Sequence, residues 1–70
     1  MSHIARLISG EVMTGEYVDL FDDVLRYMVK NHCTYSVVIF DANHYAKAVL
    51  TGRFDDEREY DVDFHEFDDV

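Results

Sequence analysis

Seventy residues with a formal charge of −9, one cysteine and no proline leave room for a single small domain with a thin core and no disulfide framework. Hydrophobic residues make up 49% of the chain, with five Phe and five Tyr, which excludes wholesale disorder, and no stretch approaches the roughly 18 apolar residues of a membrane span. The charge repels DNA, RNA and anionic membranes, so direct nucleic-acid binding is excluded and a basic protein surface is the expected partner.

Met1 to Arg6 lacks the charged region and apolar run of a signal peptide, so a cytoplasmic protein is expected, acting in a host cytoplasm if a phage encodes it. The next residues are ambiguous. Ser2 is placed to cap a short helix carrying Ile4, Leu7 and Ile8 and ending at Gly10; an edge strand is the alternative. Thr14 then reads as an N-cap with Glu16 near the positive helix end. Tyr17, Leu20, Phe21, Val24, Leu25 and Met28 recur at helical spacing, while Asp19, Asp22, Asp23 and Arg26 take the other side. One amphipathic helix is expected from about Gly15 to Lys30, with Asn31 as terminator.

Thr34 to Phe40 is β-branched and aromatic, Asp41 to His44 supplies turn residues, and Tyr45 to Thr51 resumes an extended pattern. A four-residue turn pairs Phe40 with Tyr45, Ile39 with Ala46 and Val37 with Ala48. The face bearing Tyr35, Val37, Ile39, Ala46, Ala48 and Leu50 is expected to meet the helix. The opposite face carries Val38, Phe40, Tyr45 and Val49, too apolar to be left in water, and a symmetric dimer is the commonest cover for such a patch. The N-terminal segment is the other candidate cover.

Residues 55–70 hold nine acids against Arg58 alone, a net of −8, whereas residues 1–54 are nearly balanced at −1. After an acidic turn, Tyr60-Asp61-Val62-Asp63-Phe64-His65 alternates strictly, the pattern of a strand with one buried face. Tyr60, Val62 and Phe64 should anchor it and Asp61, Asp63 and His65 should face water. A disordered acidic tail is the competing reading. The expected architecture is α+β: one helix on a three-stranded antiparallel sheet, with a short N-terminal helix or strand.

Carboxylates two apart on a strand stand about 6.8 Å apart, too sparse to imitate a DNA strand with one charge about every 3.4 Å. Adding the turn (Asp55, Asp56, Glu57, Glu59), the end (Glu66, Asp68, Asp69) and a secondary helix face (Glu16, Asp19, Asp22, Asp23) brings the density into range. The expected function is therefore non-enzymatic inhibition or regulation through an ordered acidic face, directed at a nuclease, a nucleic-acid-binding protein or its regulator. In size and charge the chain resembles the small acidic inhibitors of phages and mobile elements, anti-restriction and anti-CRISPR proteins among them; no motif is specific to one family. The alternative is a homodimeric adaptor or regulatory domain working through Val38, Phe40, Tyr45 and Val49, with the acids giving solubility. Adaptation to high salt accounts less well for an acidity confined to one quarter of the chain.

No catalytic residues, cofactor or metal are expected. The chain has no nucleophile elbow and no phosphate loop, and His32 and Cys33 are adjacent rather than facing. Asp61, Asp63 and His65 share a strand face but lack the pairing of a zinc site or the register of a calcium loop. Cys33 is expected to pack as a small buried apolar group.

Overall fold

The computed structural model describes residues 2–67. The fold class is α+β, and the sheet is antiparallel with five strands rather than three, in the order β2-β1-β3-β4-β5. The strands are β1 (His3–Arg6), β2 (Val12–Gly15), β3 (Ser36–Phe40), β4 (Ala46–Phe54) and β5 (Tyr60–Glu66), and the helix α1 (Tyr17–Asn31) joins β2 to β3. Among the described residues no helix is long and apolar enough to cross a membrane.

The two extra strands come from the N-terminal segment. Residues 3–15 form a hairpin, turning where the Leu7 N–H bonds the Glu11 carbonyl at 2.9 Å and the Gly10 N–H bonds Leu7 O at 2.9 Å. Gly10 adopts φ +91°, a conformation glycine takes without steric cost. The helical spacing of Ile4, Leu7 and Ile8 is thus incidental. Strand alternation decides their fates: Ala5 and Leu7 are buried towards α1, Ile4 turns to the opposite face, and Ile8 sits exposed in the turn. Nor is β1 an edge. It lies between β2 and β3, and among the described residues its register pairs with β3 are Ile4 with Phe40 and Ala5 with Ile39.

The helix forms where its periodicity places it, with corrected ends. Thr14 lies in β2 opposite Ile4, so the N-cap is Glu16, which makes no side-chain capping bond. The terminator is His32, in the left-handed region at φ 48°, one residue beyond Asn31. Its N–H reaches Val29 O at 3.4 Å and the Cys33 N–H reaches Met28 O at 3.1 Å, satisfying carbonyls that the last turn would leave open. Leu20, Val24 and Met28 form the fully buried stripe. They pack on Ala5, Val37, Ile39 and Leu50 in one cluster, with Cys33 buried at its margin. Burial of each large side chain contributes roughly 1.5–3 kcal/mol, which makes this stripe the main attachment of helix to sheet.

In the central hairpin the register differs from expectation. Ile39 pairs with Ala48 and Val37 with Leu50, and an irregularity between Ile39 and Phe40 sets Phe40 opposite Ala46. The turn takes five residues, Asp41 to Tyr45, not four, and the irregularity adds a further residue to the offset. A shift of two leaves every strand residue on its expected face. Val37, Ile39, Ala48 and Leu50 are accordingly buried under the helix, while Ala46 is exposed at the strand end. Tyr45 falls in the turn rather than on the strand.

Candidate partner-binding surface

The acidic segment is part of the sheet up to its last described residues. Its turn begins at Asp55, whose N–H bonds Glu59 O at 2.9 Å and whose carbonyl accepts the Arg58 N–H at 3.0 Å. The Asp55 Oδ1 also accepts the N–H groups of Glu57 and Glu59, both at 2.9 Å. Asp55 therefore holds the loop, while Asp56, Glu57 and Glu59 are exposed around it. Arg58 takes the left-handed position at φ 65°. The turn from Asp41 to Tyr45 is built the same way: Asp41 Oδ1 accepts from Asn43 and Tyr45, and His44 is left-handed at φ 67°. The Tyr45 amide, with the Asn43 amide and the nearby Lys47 and His3, holds the Asp41 carboxyl below its ordinary value.

Along β5 the acids divide between faces. Asp61 and Asp63 share the open face, away from α1, with Asp61 opposite Arg53 and Asp63 opposite Thr51. Arg53 Nε stands 2.9 Å from Asp63 Oδ2, so a cation interrupts the expected row. Alternation brings Arg6 and Lys47 to the same open face, so that side of the sheet is of mixed charge. Glu66, opposite the buried Ala48, belongs to the helix side. There it accepts the Tyr17 hydroxyl at 2.7 Å. Burial first, and then this carboxylate, push Tyr17 up to about 12.

The secondary acids sit on α1 or at its cap, across the sheet from Asp61 and Asp63. Asp22 is paired there with Arg26 one turn on. Asp68 and Asp69 lie outside the described residues. The acids thus form no single plate. Their negative charge concentrates at the β4–β5 tip and along the outer edge of β5.

The anchors of β5 are graded. The Tyr60 hydroxyl donates to the Cys33 carbonyl at 2.6 Å, and burial raises its pKa. Its ring stands 5.0 Å from His32 and 5.4 Å from Phe54, tying the hairpin to the helix C-terminus. This bridge passes over Gly52, whose N–H donates to Tyr35 O at 3.2 Å and which leaves no room for a side chain. Val62 packs against the core cluster. Phe64 meets Phe21 edge to face at 5.2 Å yet remains 57% exposed.

Between α1 and β5 lies a groove of about 200 Å³ lined by Tyr17, Val18, Phe21, Phe64 and Glu66. Sequence reasoning missed it. Val18 is the residue that signals it: an aliphatic beside the buried stripe, 76% exposed, which no core requirement explains.

The open face also carries an apolar stripe. Ile4 and Phe40 are partners across β1 and β3, and Val38 and Val49 across β3 and β4; all four are half-buried. Beside them Ser36 and Thr51 join hydroxyls at 2.9 Å. Three of the four expected interface residues are therefore together, and Tyr45 stands apart in its turn. The N-terminal segment does not cover this face but extends it. His32 and Cys33 diverge, the imidazole towards Phe54 and Tyr60, the thiol inwards. Among the described residues no three His, Cys, Asp or Glu side chains converge as a metal site would require. No protein-family model matches this chain, and no curated protein or solved structure is significantly similar to it.

Proposed function

We propose that this protein acts without catalysis, as an inhibitor or regulator that docks its acidic β4–β5 hairpin on a basic, nucleic-acid-binding surface of another protein. The observation that carries this reading is that the acidic segment is a strand, pinned by Tyr60 and Val62, with Asp56, Glu57, Glu59 and Asp61 exposed at its tip and side. Fixing carboxylates in place lowers the entropy cost of presenting them together to a partner. Asp56, Glu57 and Glu59 crowd the tip within four chain positions, a denser array than carboxylates at about 6.8 Å along a strand face. The tip, rather than the sheet face with its Arg53 and Lys47, is the part that imitates a phosphate backbone. In size and charge this is the manner of the anti-restriction and anti-CRISPR inhibitors of phages and mobile elements.

Replacing Asp55, Asp56, Asp61 and Asp63 by Asn tests this. Asparagine keeps the side-chain oxygens that hold the Asp55 turn and the Val62 amide, so the fold survives while the charge goes. Basic proteins captured by the native chain at 0.1 M salt should be lost at 1 M, where screening shortens to about 3 Å, and lost with the variant at either salt. Equal capture by the variant refutes the acidic reading.

The stripe of Ile4, Val38, Phe40 and Val49 supports a second reading, a homodimeric adaptor. Phe40→Glu should then turn a dimer into a monomer at unchanged helix content, as sedimentation and circular dichroism would show.

A further inference from the structure

We infer that the outer edge of β5 accepts an extended basic segment of the partner as a sixth strand, with one apolar side chain of that segment seated in the groove between β5 and α1. This rests on the proposed acidic docking and specifies its form.

The hydrogen-bond parity of β5 is fixed from both ends. Phe67 N–H bonds Lys47 O at 2.9 Å, Asp55 N–H bonds Glu59 O at 2.9 Å, and the register between them is unbroken. Odd-numbered residues of β5 therefore exchange bonds with β4, and Val62, Phe64 and Glu66 turn their backbone groups outward. Asp61 Oδ1 takes the Val62 N–H at 2.9 Å, which blunts the edge near the tip. What is left is the stretch at Phe64 and Glu66, and the groove opens directly beside it. Phe21, Val18 and Phe64 there expose apolar surface sufficient for one aliphatic side chain, with Glu66 at the rim.

Charge selects the occupant. A strand laid along β5 places its side chains beside Asp61 and Asp63 on one face, where Arg53 already pairs Asp63, and near Glu66 on the other, so lysines and arginines flanking an aliphatic residue meet carboxylates on both faces. A second copy pairing β5 with β5 antiparallel about Phe64 sets Asp63 against His65 and Glu66 against Val62, and brings no lysine or arginine to any of these carboxylates.

The test uses a fluorescein-labelled octapeptide alternating Lys or Arg with Val or Leu, and the same peptide N-methylated at alternate residues on its pairing edge. Fluorescence anisotropy and amide shifts of the native chain are read at low and high salt. Strand addition predicts binding with the largest shifts at Phe64 and Glu66, a loss of at least about tenfold on N-methylation, and about fivefold weakening by Val18→Ser, which alters only an exposed side chain. Equal binding of both peptides, weakened by salt, overturns strand addition and leaves acidic docking standing. Binding that is abolished by N-methylation but indifferent to salt removes the charge argument instead. No binding of either peptide, or self-association through β5 in its place, overturns the inference.

Discussion

Gly52→Ala is the sharpest test of how the acidic hairpin is held. A Cβ at this position runs into the Cys33 carbonyl oxygen and the Tyr60 hydroxyl, and stands 3.0 Å from the Cys33 carbonyl carbon. Ordinary carbon contacts are about 3.5–4.0 Å, so the carbonyl carbon alone demands a parting of about 0.5–1 Å between the helix C-terminus and β4, and the much closer carbonyl oxygen demands more. Overpacking of this kind costs about 1–3 kcal/mol. Separation also breaks the Tyr60 to Cys33 bond at 2.6 Å and the Gly52 to Tyr35 bond at 3.2 Å, each contributing about 1 kcal/mol. The expected loss is about 3–5 kcal/mol, against a total of roughly 4–10 kcal/mol for a chain of this length. Urea denaturation followed by far-ultraviolet circular dichroism measures it as a fall in the midpoint. Tyr60→Phe, which removes only the hydroxyl, should cost about 1–2 kcal/mol, and the double variant should fall short of the sum because the hydroxyl is one of the clashing groups. A Gly52→Ala unfolding free energy within about 1 kcal/mol of the native chain's refutes the bridge as the hairpin's anchor.

Two other measurements bear on the same region. Arg58 is left-handed at φ 65°, a strain of about 1–2 kcal/mol that glycine avoids at an unfolded-state entropy cost of about 0.4–1 kcal/mol. Arg58→Gly should therefore stabilise by about 0.5–1 kcal/mol, raising the Tm by a few degrees in a thermal melt; a lowered Tm contradicts the assignment. Tyr17 titrates near 12 in the fold against 10.0 ordinarily, so the folded state holds its proton more tightly. Its contribution to stability is complete below pH 10 and disappears as pH rises towards 12. Glu66→Gln removes the carboxylate and should lower the Tyr17 titration, seen as the tyrosinate absorbance missing from Tyr17→Phe; an unmoved titration rules out Glu66 as a cause.

The helix and the last three strands were legible because their periodicities are driven by burial on one side, and burial is what a sequence records directly. Leu20, Val24 and Met28 mark the helix stripe, and Val37, Ile39, Ala48 and Leu50 mark the sheet side beneath it. The N-terminal hairpin was not legible as such. Val12 to Gly15 forms an edge strand with little to bury, and Thr14 followed by Glu16 imitates a helix cap. Its identity is settled by a non-local fact, the slot beside β3 that buries Ala5. The division of the acids was partly readable: alternation puts Asp61 and Asp63 on one face and Glu66 on the other, but the Arg53 ion pair depends on cross-strand register. The groove depends on where the helix axis lies relative to β5, which no local pattern encodes.

The two-pair seam between β1 and β3 has a dynamic consequence. Every other strand pairing here is a hairpin that closes locally, whereas this seam must wait for the chain to travel through the whole helix. Among the described residues it has two register pairs where the other pairings have four to seven, so opening of the sheet is expected to begin there. Opening there would carry residues 3–15 away from the meander that bears the carboxylates and would have to free Ala5 and Leu7 from the helix, so the exposure of Ala5 would mark the event.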